Sequence, residues 1–116
     1  MNFAFKENQL DYETYYILRK SVKWNNWSRE QAEIALVNSY YTVTVFDNKV
    51  PIGMGRAVGD GIYFMIMDIV VKPEYQRMGI GSTIIHMLLE HIEKNMCVGS
   101  RVVYNLYLSQ TKNSFI

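Results

Sequence analysis

The stretch Val71-Lys72-Pro73-Glu74-Tyr75-Gln76-Arg77-Met78-Gly79-Ile80-Gly81-Ser82 joins an apolar run to an amphipathic one, and its reading decides the fold. On its N-terminal side, residues 62–71 carry a single charge, Asp68, in an otherwise apolar-rich run. Such a run reads as a central strand buried on both faces, and Pro73 ends it. On its C-terminal side, Ile84, Ile85, Leu88, Leu89 and Ile92 make one helical stripe that begins near Gly79 and is closed by Gly99. Two glycines one residue apart at a helix start let backbone N–H groups approach a ligand without interference from Cβ. The helix N-terminus adds the equivalent of about half a positive charge. Arg77 supplies a fixed cation and Ser82 a hydroxyl. Together these features make a pyrophosphate site. A lone Gly-x-Gly also serves a plain strand-to-helix turn, so the surroundings have to decide.

Working outward, Asp60-Gly61 is a hairpin signal that feeds the apolar strand from another one over residues 50–58. Asp47-Asn48-Lys49 turns the chain into that strand from residues 40–46, where Tyr41, Val43 and Val45 alternate with Thr42, Thr44 and Phe46. Before them, Ser28-Arg29-Glu30-Gln31 is a capping box that opens a helix to about Asn38. Asp11 caps an earlier helix to about Val22, and Phe3 and Phe5 suit a short edge strand. After the long helix, residues 101–108 favour extended structure. The expected fold is therefore α/β, in the α+β sense of a mixed sheet with helices on its faces. Its order is β-α-α-β-β-β-α-β, with a parallel unit following an antiparallel meander.

Composition narrows the function. The 116 residues suit a single domain spanning 1–116, and 49% hydrophobic content is enough for a core. Twelve Lys+Arg against eleven Asp+Glu give a net charge of +1, so nucleic acid is not an expected partner. No apolar stretch reaches the length of a membrane span, and the N-terminus carries no basic block followed by an apolar one. The single cysteine, Cys97, fits a reducing compartment. These features lead to the expectation of a cytoplasmic protein with no membrane partner.

Competing motifs fit poorly. A dinucleotide fingerprint would need a small residue where Ile84 stands. Gln76-Arg77-Met78-Gly79-Ile80-Gly81, by contrast, resembles the acetyl-CoA signature Q/R-x-x-G-x-G/A of the GCN5-related N-acetyltransferases. The preceding run from Asp68 to Gln76 looks like the strand and loop that lead into that signature, and the order of elements agrees from residue 3 to about 108. The resemblance implies a GNAT-like fold that transfers an acetyl group from acetyl-CoA directly to an amine, without a covalent enzyme intermediate or a metal. It assigns the pyrophosphate to Gln76, Arg77, Met78, Gly79, Ile80, Gly81 and Ser82. The pantetheine arm falls on the backbone of Ile69, Val70 and Val71. Relative to the family the chain reads as truncated. The helix carrying the usual acid tyrosine would begin where residues 113–116 end, so the acid is left open. Tyr104 or Tyr107 is a substitute only if it is not a packing residue of its strand.

Acyl transfer from a thioester needs a neutral amine, so a proton has to leave it. Asp68, the only charge in its strand, is the candidate base if burial raises its pKa. The other reading has it accept hydrogen bonds and order the site. Trp24 and Trp27, with Arg56 and Asp60, are candidates to line the pocket of an amine acceptor, a small molecule or peptide. The tryptophans fit a lid over the core equally well. The unpaired edge of the last strand leads us to expect a homodimer. His86, Glu90 and His91 lack zinc-site spacing and read as solvated helix residues, and Cys97 reads as a core thiol.

Overall fold

The structure, a computed structural model, describes residues 2–95 and 101–104. Five strands lie in the order in which they occur along the chain, β1 (Phe3–Glu7), β2 (Tyr41–Asp47), β3 (Val50–Gly59), β4 (Tyr63–Val71) and β5 (Arg101–Tyr104). The first four form an antiparallel meander, and β5 runs parallel to β4. The crossover between β4 and β5 contains a 3-10 turn at Pro73–Tyr75 and the helix α3, Ile80–Asn95. The helices α1 (Tyr12–Ser21) and α2 (Arg29–Val37) fall between β1 and β2.

Local chemistry sets these boundaries. The Asp11 carboxylate accepts from the amide of Thr14 at 2.9 Å and starts α1. Ser28 and Gln31 close the expected capping box at the start of α2. The sheet buries both faces. On one face Ile69 and Val71 cluster with Ile80, Ile84, Leu88 and Ile92 of α3, and on the other Met54 and Val70 cluster with Tyr15 and Leu18 of α1 and Ala32 of α2. Gly55 lets α3 come close, since a Cβ there would stand 2.5 Å from Ile84 Cγ2.

The expectation that β4 is buried on both faces holds only for its second half. Residues 68–71 are buried without interruption, whereas Tyr63 and Met65 alternate as exposed with buried Phe64 and Ile66. Arg56 pairs with Met67 and Met54 with Val70, so Asp68 and Ile69 together oppose Gly55. This is a β-bulge, and Asp68 sits in it with a left-handed φ of 55°. Cys97, Gly99, the continuation of the last strand through Tyr107 to Leu108, and residues 113–116 lie outside the described residues.

Candidate active site

The loop before α3 is fastened on two sides. Tyr75 donates its hydroxyl to Asp47 Oδ2 at 2.7 Å and meets Phe3 edge to face. Gln76 turns its side chain back, and Nε2 donates to the carbonyl of Val71 at 2.9 Å. Between these ties and the helix, Arg77 and Gly79 both take left-handed backbone, φ 67° and 84°. A glycine adopts that conformation without penalty, and nothing lies within 4 Å of where a Gly79 Cβ would be. The first intrahelical bond runs from Thr83 N–H to the Gly79 carbonyl at 3.1 Å. The amides of Ile80, Gly81 and Ser82 are therefore the unpaired donors of a helix N-terminus, with no acceptor among the described residues. Arg77 is exposed beside them and makes no ion pair with any described residue. These groups fit an anionic phosphate ligand.

Below the loop, Ile69, Val70 and Val71 are buried, and Val70 and Val71 pair with Met54 and Gly53 of β3. The ladder with β5 runs from Tyr63 to Ile66 among the described residues. The β5-facing edge of residues 67–71 has no described strand beside it.

The bulge places Asp68 under α1, but not alone. Arg19 Nη1 lies 2.6 Å from Oδ1, Arg56 Nε 2.8 Å from Oδ2, and the Tyr15 hydroxyl donates to Oδ2 at 2.9 Å. All three charged side chains are about nine-tenths buried. The expected lone, desolvated carboxylate is instead a paired one. Its strand contributes no other charge, but α1 and β3 each bring an arginine. Burial, followed by the negative charge of Asp68, pushes the Tyr15 phenol up to about 12.

The four residues expected at the acceptor side separate. Arg56 joins Asp68 and also donates through Nη1 to Ser39 Oγ at 3.0 Å. Trp24 is half-buried, packs against both apolar clusters, and faces the Arg19 guanidinium at 5.2 Å. Trp27 stays 55% exposed, 5.8 Å from the same guanidinium. Asp60 does not join them. Its carboxylate caps the β3–β4 turn by accepting from the amides of Ile62 and Tyr63, which hold it below the usual carboxylate range. On the same face, Trp24 Nε1, Thr42 Oγ1 and Thr44 Oγ1 are buried with no described partner.

Tyr15 and Arg19 are the site residues that the sequence reading missed. Their spacing of four on α1 was the available signal, since it puts both on one face of the helix. His91 stacks flat on Tyr41 at 3.9 Å, beside a small pocket of about 100 Å³ that Glu7 and Glu90 also line. Among the described residues no three His, Cys, Asp or Glu side chains are placed to hold a metal ion, and no helix is long and apolar enough to cross a membrane.

Comparison with known proteins adds a family. The description of the acetyltransferase (GNAT) family matches residues 3–109. Among curated proteins, the uncharacterized N-acetyltransferase ycf52 of Pyropia yezoensis is 30% identical over 79 residues, 64% of this chain and 45% of that protein. The chloroplastic GCN5-related N-acetyltransferase 1 of Arabidopsis thaliana is 37% identical over 49 residues, 40% of this chain and 25% of that protein. The chain thus spans less than half the length of either. Among solved structures, a probable acetyltransferase, SA2161, from Staphylococcus aureus superposes with a TM-score of 0.85 at 32% identity, covering 94% of this chain and 84% of that one. The aminoglycoside N-acetyltransferase AAC(6')-Iy, solved with CoA, shares the fold with a TM-score of 0.69 at 14% identity, covering 94% and 82%.

Proposed function

The chain belongs to the acetyltransferase (GNAT) family, and from that premise we propose that it transfers the acetyl group of acetyl-CoA to a primary amine on a small molecule or peptide. The observation that carries this reading is the row of unpaired amides at Ile80, Gly81 and Ser82, next to left-handed Gly79. In the proposal these amides, with Gln76, Arg77 and Met78, receive the pyrophosphate of acetyl-CoA, and the edge of Ile69, Val70 and Val71 takes its amide-bearing arm. The cosubstrate supplies the thioester. A neutral amine nitrogen forms its bond to the acetyl carbon as the carbon–sulfur bond breaks, and the sulfur leaves with the electron pair. The proton shed by the nitrogen ends on that sulfur, giving an amide and a free thiol.

In this reading the chain's own residues mainly position the reactants. Trp24 and Trp27 wall the acceptor side. Both Asp68 oxygens are taken by Arg19, Arg56 and Tyr15, so we assign Asp68 to ordering the site rather than to accepting the amine proton. That same occupancy favours a second reading, an acetyl-CoA-binding module without turnover.

A thermal-melt titration with acetyl-CoA, with NAD and ATP as controls, tests the binding. A ligand present at a hundred times its dissociation constant stabilises by about 2.7 kcal/mol, a shift of several degrees for a domain of this size. A rise specific to acetyl-CoA and abolished by Gly79→Asp supports the site, and no rise sinks the proposal. Release of free thiol in the presence of an amine panel then separates the enzyme from the silent module.

A further inference from the structure

The segment between α1 and α2 is tied to α1 by several bonds, and to the sheet by one side chain of that helix. Its amides at Val22 and Trp24 donate to the Arg19 carbonyl at 3.3 and 3.1 Å, and Lys23 donates to Lys20. The Asn25 carbonyl accepts from both Nε and Nη2 of Arg19, and the Asn26 side chain donates to Tyr16. Every one of these bonds ends on α1. Among the described residues, the polar link from this loop to the sheet is the remaining nitrogen of the same guanidinium, Nη1 on Asp68. Trp24 adds only packing, since its Nε1 has no partner among the described residues. The far end of the helical excursion reaches the same carboxylate, through Ser39 and Arg56.

We infer that Arg19 is a positioning residue: its guanidinium bridges the Asn25 carbonyl to Asp68 and so fixes the Trp24–Trp27 loop relative to the β4 bulge. A guanidinium can do this because its planar fork offers donors in several fixed directions at once, whereas an ammonium is a single point charge. The tryptophan faces at 5.2 and 5.8 Å add cation–π attraction on the loop side of the fork. Asp68 immediately precedes Ile69, Val70 and Val71, so the distance between the acceptor wall and the proposed acetyl-CoA edge is set by this bridge. The geometric part of the inference stands on its own, and its catalytic consequence rests on the acetyltransferase reading.

The chain's two tryptophans are Trp24 and Trp27, so emission excited selectively through tryptophan reports on this loop alone. In Arg19→Met we expect emission to move to longer wavelength and acrylamide quenching to rise about two-fold, as the loop joins the locally open end of the stability scale. Asp68→Asn should do the same, and Arg19→Lys should fall between, its Nζ reaching Asp68 or Asn25 but not both. The acetyl-CoA melting shift of Arg19→Met should equal that of the wild type. Arg19→Met that melts cooperatively with wild-type emission and quenching overturns the inference. If Arg19→Met does not fold, wild-type quenching in Arg19→Lys overturns it instead. With any amine that the wild type acetylates, Arg19→Met should raise the half-saturating amine concentration about ten-fold, as expected of lost orientation, and leave that of acetyl-CoA alone. An equal rise in both would refute the positioning role. Should acetyl-CoA shift the melt of neither protein, the acetyltransferase reading fails and the fluorescence still decides the bridge.

Discussion

Tyr75 donates its hydroxyl to Asp47 at 2.7 Å, fastening the loop before α3 to the end of β2. The bond spans 28 residues of chain and supports the amide row from one side. Tyr75→Phe keeps the ring against Phe3 but drops this bond. A single hydrogen bond of this kind contributes about 1 kcal/mol, so we expect a melt lowered by a few degrees. Acetyl-CoA affinity should fall by a few-fold, read from the same titration.

Gly79 separates conformational from steric cost. Its φ is 84°, and a Cβ there would meet nothing within 4 Å. Gly79→Ala should therefore lose about 1 kcal/mol through backbone strain alone. Gly79→Asn should lose less, because Asn tolerates the left-handed region. Denaturant unfolding of the two variants gives the order, and Ala more stable than Asn would contradict it.

Asp68 holds two buried guanidiniums. Asp68→Asn leaves both without a counter-charge, and breaking a buried pair in this way costs about 3 kcal/mol or more. The melting temperature should drop by about 10 °C or more. Arg56→Met in the Asp68→Asn background should recover part of the loss, since it removes one of the stranded charges. A double-mutant cycle measures the coupling. Near-wild-type stability of Asp68→Asn together with lost turnover would instead return Asp68 to the role of base.

Alkaline pH tests the Tyr15 contact. The fold raises this phenol from 10.0 to about 12, mainly by burial and then by the charge of Asp68. The folded state therefore holds the proton more tightly than the unfolded one. The resulting stability is complete below pH 10 and disappears as pH rises through about 12. Tyr15→Phe should flatten the loss of stability in that window. The wild-type minus Tyr15→Phe difference titration of tyrosinate absorbance should show the late phenol.

Much of this architecture was legible from spacing and capping. The box at Ser28 to Gln31, the alternation in β2 and the Asp60-Gly61 hairpin specify their elements through local rules, and local rules survive folding. The 3-10 turn at Pro73–Tyr75 was not legible, being too short to carry a period. Neither was the bulge at Asp68, because a register shift belongs to a pair of strands and not to either sequence. Arg19 was overlooked for a related reason. Nothing in its own helix marks its partner, and only the tertiary fold brings a carboxylate from 49 residues away against it. The turn into α3 at Gly79 was legible because the glycine and the apolar stripe that mark it are neighbours in the chain.

Thr42 and Thr44 lie next to each other on the α1-facing side of β2, each with a buried hydroxyl that no described group engages, and the Trp24 indole adds a third such atom. This side of the sheet is undersaturated. Among the described residues these three atoms find no partner, and a buried polar atom without a partner carries a desolvation penalty. Thr44→Val exchanges the hydroxyl for a methyl of the same shape, so we expect unfolding to require about 1 kcal/mol more free energy, measured in urea. A gain in Thr44→Val would make this face of β2 a place where one exchange of hydroxyl for methyl strengthens the fold without touching the loop before α3.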